Sequence, residues 1–243
     1  LSLALAAIML IGMMVVSASA ASYNDLTDKD QIVNKDAVSM LVSLGIIEGK
    51  PDGSYGPTEN VDRAQMAKML SVIMNKGVDN SALYQSVNSG LTDITSHWAK
   101  GHINYCYTTG IIAGRGNGKF DPDAGVTGSE AAKMLLVAAG YDPAIEGLTG
   151  TDWEINTNAL ASKLGIFRNF KGSVAEPLSR DNAALLIYNA LDVEMIESYT
   201  NNGYAMAYSD ARTILSSMYG VYKVEGVVVG NKWAELDKTD SDS

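Results

Sequence analysis

Residues 41–70 read LVSLGIIEGKPDGSYGPTENVDRAQMAKML. A short helical run stops at Gly45, where a left-handed residue ends a helix, and the apolar pair Ile46-Ile47 follows. A glycine-rich loop then leads to Pro57 and on to a second amphipathic helix. The same order recurs at 106–135, CYTTGIIAGRGNGKFDPDAGVTGSEAAKML, and at 161–191, ASKLGIFRNFKGSVAEPLSRDNAALLIYNAL. Gly45 and Pro57 are 12 residues apart, as are Gly110 and Pro122, and Gly165 and Pro177. One supersecondary unit used three times, each copy too small to bury its own apolar face, predicts a mainly α protein. The expected architecture is three helix–loop–helix repeats packed as a pseudo-three-fold helical bundle, with a short C-terminal helix capped from Ser209-Asp210, its stripe Ala211, Ile214, Leu215 and Met218, and a strand at 221–229.

The second helix of each copy carries its own start signal. Asp62-x-x-Gln65 and Thr127-x-x-Glu130 are capping boxes, and Ser179-x-x-Asn182 is a weaker one because Asn is short. Downstream, Met66, Met69, Leu70 and Ile73 follow the spacing i, i+3, i+4, i+7; Ala131, Met134, Leu135 and Ala138 repeat it, as do Ala183, Leu186, Ile187 and Ala190. Equal register predicts three equivalent helices sharing one core. Asp52-Gly53 and Asn117-Gly118 suit tight hairpin turns. Neither loop has the alternating oxygen ligands and distal Glu of a calcium site.

Residues 1–20, LSLALAAIMLIGMMVVSASA, hold no charge and close on Ala18-Ser19-Ala20, the pattern of a secretory signal peptide. Its apolar run is short for a bilayer span, so no membrane span is expected after cleavage. A formal net charge of −10 speaks against nucleic acid and anionic lipid as partners. The single Cys106 forms no intrachain disulfide and reads as a small buried hydrophobe. His97 and His102 have no Cys or carboxylate cluster around them, so no metal site and no cofactor is expected. No nucleophile–base motif emerges, and no catalytic residue is expected.

LGIIEGKPDGSYGP with VDRAQMAKML, TGIIAGRGNGKFDP with VTGSEAAKML, and LGIF with LSRDNAALLIYNAL together resemble the S-layer homology domain, over roughly residues 22–195. Leu91-Thr92-Asp93 leading to His97-Trp98-Ala99 resembles the family's Asp…His-Trp-Ala signature, and Leu26-Thr27-Asp28 stands 65 residues earlier. The resemblance implies repeats at 21–79, 88–142 and 146–195 behind a signal peptide at 1–20, with 196–243 a linker or the start of a downstream module. It also implies non-covalent anchoring to a secondary cell-wall polysaccharide, commonly pyruvylated, held in grooves between repeats at the bacterial surface. Two alternatives stay open: an anchor for a surface enzyme whose catalytic domain is not in this sequence, or a self-assembly module whose partners are other surface-layer subunits.

The ligand candidates are Arg63 and Arg180, each at a helix start where free backbone N–H groups and a guanidinium would together suit a carboxylate. Trp98 and Trp153 stand 12 residues before their Gly, as stacking platforms or as core. Asp28 and Asp93 are ligand contacts or local caps, and Gly49 and Gly114 allow close backbone approach or serve only the turn. The second repeat has Gly128 in place of Arg, with Arg115 as a substitute from its loop; the first has Val33 in place of Trp. This pattern predicts unequal grooves, stronger in repeats 1 and 3 than in repeat 2.

Overall fold

The computed structural model describes residues 22–223 and the backbone of 230–231 and 234–235. The expected signal segment lies outside the described residues, as does most of the strand expected at 221–229; residues 221–223 are not in a strand. Six α-helices build the body: α1 (Lys35–Ser43), α2 (Arg63–Met74), α3 (Lys100–Thr108), α4 (Gly128–Ala138), α5 (Trp153–Lys163) and α6 (Arg180–Ala190). They are paired in three units, α1–α2, α3–α4 and α5–α6. Among the described residues no helix is long and apolar enough to cross a membrane.

The units close on one another through the backbone. Val61 N–H donates to the Leu178 carbonyl, Leu178 N–H to Val126, and Val126 N–H to Val61, each at 2.9 Å. All three residues are buried and sit just before a helix N-cap, so the second helices α2, α4 and α6 radiate from a common three-way junction. Around it the helices pair across unit boundaries: α2 packs on α3, α4 on α5, and α6 on α1. The circle is therefore continuous, and the apolar stripe of each second helix is shared. Met66, Leu70, Ile73, Ala131, Leu135, Ala138, Ala183, Leu186, Ile187 and Ala190 are all buried in a single core cluster.

Local chemistry supports this arrangement. Asp62–Gln65 and Thr127–Glu130 form reciprocal capping boxes, whereas Ser179 caps the Asn182 amide without the return bond. Gly45, Gly110 and Gly165 have φ of 70°, 79° and 79°, the left-handed geometry that stops α1, α3 and α5. The 50–54 hairpin closes through Lys50 N–H to Ser54 O with Gly53 alone at positive φ. In the 115–119 hairpin both Asn117 and Gly118 are at positive φ.

The third loop departs from the expected spacing. Ala64 N–H donates to Pro122 O, Asp181 N–H to Pro57 O, and Ser129 N–H to Val174 O, so Val174, not Pro177, is the counterpart of the two prolines. Pro177 pairs with Thr127 as Gly125 pairs with Asp62 and Asn60 with Ser179. The third Gly–Pro interval of 12 is thus a coincidence: the equivalent carbonyl comes three residues sooner, and the hairpin tip is missing.

After α6 an antiparallel pair, β1 (Ile196–Tyr199) and β2 (Ala205–Ala207), leads to α7 (Ile214–Tyr219). A helix capped from Ser209-Asp210 and including Ala211 was expected; Thr213 is the N-cap instead, and Ala211 is at φ 49° outside the helix. This segment docks on the body: Ile196 N–H donates to Ala139 O, Leu215 N–H to Leu191 O, and Ile214 and Leu215 are buried in the shared core. A two-residue pairing, β3 (Gly230–Asn231) with β4 (Ala234–Glu235), follows.

A common core makes the units one cooperative body. Leu135→Ala, at a residue 1% exposed in the middle of α4, should cost about 2–5 kcal/mol. Chemical denaturation followed by circular dichroism should still show one transition, and separate melting of the units would contradict the shared core.

Candidate functional site

Two grooves of like construction open between the units, with volumes of about 230 and 310 Å³. Groove A runs beneath the first unit's loop, Ile46–Lys50, and groove B beneath the second's, Ile111–Arg115. The floor of each comes from the following helix: Gln65, Lys68 and Met69 in A, Glu130, Lys133 and Met134 in B. Arg180 of the third unit and Trp98 of the second complete groove A. Arg63 of the first unit and Trp153 of the third complete groove B. Every groove therefore draws on three units, which the sequence pattern, read repeat by repeat, could not show.

The two Arg are anchored alike. Arg63 Nε donates to Phe120 O (2.9 Å) and Nη2 to Ala113 O (3.0 Å), with Cζ 4.4 Å from the Phe120 ring centre. Arg180 Nε donates to Tyr55 O (2.7 Å) and Nη2 to Glu48 O (3.4 Å), with Cζ 4.8 Å from the Tyr55 ring centre. Each guanidinium thus ties one unit's helix start to the next unit's hairpin, with its face against an aromatic ring. Arg63 is 3% exposed, and burial pushes its pKa down while Glu130 opposes that shift. Arg180 is more open.

The expected free N–H groups at these helix starts are not free. Arg63 N–H donates to Ala124 O and Arg180 N–H to Glu59 O; the next amides reach Pro122 and Pro57, and the third are held by the N-caps. The helix ends are saturated by inter-unit bonds, so any anion must be met by side chains. These are at hand: groove A holds Lys50, Lys68 and Arg180 with one carboxylate, Glu48, and groove B holds Arg63, Arg115 and Lys133 with Glu130. Both are local positive sites on a net-negative chain.

Trp98 is 55% exposed, with its ring 5.5 Å from that of His97 and 6.3 Å from that of His102. Trp153 is half-buried, and Lys133 Nζ lies 5.2 Å over its ring. Gly49 and Gly114 line the grooves, Gly114 hemmed in by the hairpin behind it and Gly49 by the Leu26 side chain. A Cβ would lie 2.7 Å from Lys119 O at Gly114 and 3.0 Å from Leu26 Cδ2 at Gly49. Asp28 and Asp93 line neither groove. Asp28 accepts from the Tyr55 and Gly56 amides (2.7 and 2.8 Å), and Asp93 from those of Phe120 (3.0 and 3.1 Å) and Asp121 (2.8 Å). Burial raises the pKa of both, but these bonds outweigh it and each carboxyl titrates below its ordinary value.

The third inter-unit position has different residues. Gly128 stands where Arg63 and Arg180 do, and its Cβ would lie 2.8 Å from Val174 Cα, so no side chain fits. Val33 takes the place of Trp, and Leu185 that of Lys68 and Lys133. The helix-start Arg residues are distributed differently from the expected ranking by repeat: they lie under the loops of units 1 and 2, Arg115 sits beside Arg63 instead of replacing it, and the third position has Arg168 from its own loop.

One constellation escaped the sequence. Ser71 Oγ is 2.7 Å from His102 Nδ1, and His102 Nε2 is 3.6 Å from Asp79. Ser71 and His102 are 5% exposed, and the Ser71 hydroxyl donates to Lys68 O at 2.9 Å. The Ser71 hydroxyl thus has two partners within reach, Lys68 O and His102 Nδ1, and the His102 tautomer decides which of them receives its proton. Cys106 is fully buried against Ala67 O, and burial pushes its thiol pKa up. Among the described residues no group of three or more His, Cys, Asp or Glu could hold a metal ion.

Residues 22–67 and 90–132 match the S-layer homology domain. The chain is 31% identical over 179 residues, 73% of its length, to a cell surface protein of Thermoanaerobacter kivui. It is 32% identical over 120 residues, 49% of its length, to an S-layer protein of Bacillus licheniformis. Exoglucanase XynX of Acetivibrio thermocellus is 28% identical over 186 residues, 70% of the chain. The chain spans 22%, 13% and 16% of these relatives. Cell-surface anchoring is what the two S-layer homology segments and the relatives support in general terms.

Asp28 and Asp93 are expected to act on the fold of the loops. Asp28→Asn and Asp93→Asn should each lower stability by about 1–3 kcal/mol. Because both carboxyls titrate lower in the folded state, their contribution is present above about pH 4, the ordinary Asp range, and is lost as pH falls through their folded pKa values. Urea titrations from pH 7 to pH 3 should show the wild type converging on the Asn variants at the acid end.

Proposed function

We propose that grooves A and B bind an acidic, pyruvylated secondary polysaccharide of the bacterial cell wall and that the chain is a three-repeat anchor for an exported surface protein. In this reading residues 1–20 are its export signal, and the S-layer homology repeats span 21–79, 88–142 and 146–195. The third unit supplies Arg180 to one groove and Trp153 to the other, as a repeat of the same kind would.

The observation that carries this reading is the recurrence in A and B of one set of side chains. A ring-backed Arg, a Lys on the floor helix, a loop glycine and a Trp occupy equivalent places in both. A sugar ring presents apolar C–H faces and hydroxyls, which suit an indole beside fixed polar groups. A pyruvyl ketal adds a carboxylate, which suits the cationic side chains. Arg63 and Arg180 hold the groove walls, and Lys68 and Lys133 offer the more available charges.

What is anchored lies outside these residues. The exoglucanase relative favours a surface enzyme as one cargo, and the S-layer relative favours a surface-layer subunit as another.

The test is co-sedimentation with purified wall sacculi, before and after chemical removal of the secondary polysaccharide. Trp98→Ala with Trp153→Ala should reduce sacculus binding at least about tenfold, a loss of about 1.4 kcal/mol, while leaving the circular dichroism spectrum unchanged. Lys68→Gln with Lys133→Gln should do the same and flatten the salt dependence. Undiminished binding to stripped sacculi would overturn the reading, and concentration-dependent self-association that persists in both double variants would favour assembly instead.

A further inference from the structure

Grooves A and B share a shape but differ in one charge at the floor. In groove B, Glu130 Oε1 lies 2.6 Å from Arg115 Nη2 and 3.6 Å from Arg63 Nη1, and its Oε2 accepts from the Thr127 amide at 3.1 Å. Its side chain is 13% exposed. A resident carboxylate thus bridges both guanidinium groups of that groove.

Groove A has Gln65 at the same place. Its Oε1 makes the same capping bond, to the Asp62 amide at 3.3 Å, but it carries no charge. Among the described residues no carboxylate lies within 4 Å of the Arg180 guanidinium, whose partners are two backbone carbonyls. Lys50, the counterpart of Arg115, pairs with Glu59, which does not line the groove. Glu48, the acid of groove A, stands at the rim with a side chain 68% exposed and 4.0 Å from Lys68.

We infer that Gln65 and Glu130 set different specificities, groove A selecting the carboxylate-bearing sugar and groove B the same sugar with its acid absent or masked. This rests on the groove reading proposed above. An incoming carboxylate finds in groove A the Arg180 guanidinium, which has no carboxylate partner among the described residues. In groove B it meets a partly buried acid that already pairs with Arg115 and Arg63, and two carboxylates sharing one site repel. Groove B instead offers Glu130 as a hydrogen-bond acceptor for sugar hydroxyls. One anchor then engages both substituted and unsubstituted residues of a partly pyruvylated chain.

Each groove has its own reporter, the indole N–H of Trp98 in A and of Trp153 in B. The probes are a pyruvylated methyl hexoside and its methyl ester, which differ in the carboxylate charge and one methyl group, titrated against the ¹⁵N-labelled full chain by nuclear magnetic resonance. Indole signals are assigned by substitution of each Trp. The acid probe should move the Trp98 signal at about tenfold lower concentration than the Trp153 signal, and the ester should abolish that preference. Glu130→Gln should bring Trp153 to parity for the acid, and Gln65→Glu should weaken Trp98 by about tenfold. Both variants keep a residue able to form the capping box, as the wild-type positions already demonstrate. Equal responses of both indoles to the acid, or no change in Glu130→Gln, would overturn this inference and leave the groove reading standing. Silence of both indoles to both probes would overturn the groove reading itself.

Discussion

Three backbone hydrogen bonds, from Val61 to Leu178, Leu178 to Val126 and Val126 to Val61, set the geometry on which everything else depends. Each buried residue donates once and accepts once, so the ring satisfies six polar groups without a sheet. An unpaired amide there would cost about 1–3 kcal/mol. Because each of these residues precedes an N-cap, the ring also aims three helices from one point, and their apolar stripes meet. The same closure brings carbonyls of one unit's loop onto the first amides of another unit's helix. Helix termini that would otherwise need water are completed across the unit boundary.

The grooves follow from that closure. A helix start from one unit must lie against the hairpin of the next, and the residue at its first position reaches beneath that hairpin. Where it is Arg, the guanidinium finds an aromatic face and two carbonyls, and a groove with a fixed cationic wall results. Where it is Gly128, Val174 closes onto the backbone and no side chain reaches beneath the loop from that position. Asp28 and Asp93 contribute one step removed, by gathering hairpin amides at Tyr55–Gly56 and Phe120–Asp121 so that the rings and carbonyls face the guanidinium.

Much of the scaffold was legible because it is written in short-range chemistry. The Gly stops, the capping boxes and the helical stripes each depend on residues within a few positions of one another. The third loop misled because Pro177 happens to fall at the interval kept by Pro57 and Pro122; what matters there is a carbonyl, and Val174 provides it. The candidate site was half legible. Arg, Trp and Gly stood out by residue type, but their grouping depends on contacts between positions as distant as 48 and 180. Gly128 seemed to weaken the second groove because the helix-start Arg was assigned to its own repeat, whereas the helix-start Arg of that groove is Arg63. Lys68 and Lys133 carried no signal beyond their place on a helix face, and they became visible only when the groove floors could be compared. The strand pair after Met195 has too little periodicity to announce itself.

Shared construction gives the grooves a mechanical role. A ligand in groove A would touch the loop at 46–50, the turn at Trp98 and the helix start at Arg180, and so would clasp all three units. Anything that binds this way favours only the fully assembled state, and its binding free energy adds to global stability. A ligand so held would lose part of its site if any one unit came away, since Arg180 belongs to the third unit. Grip and fold therefore yield together.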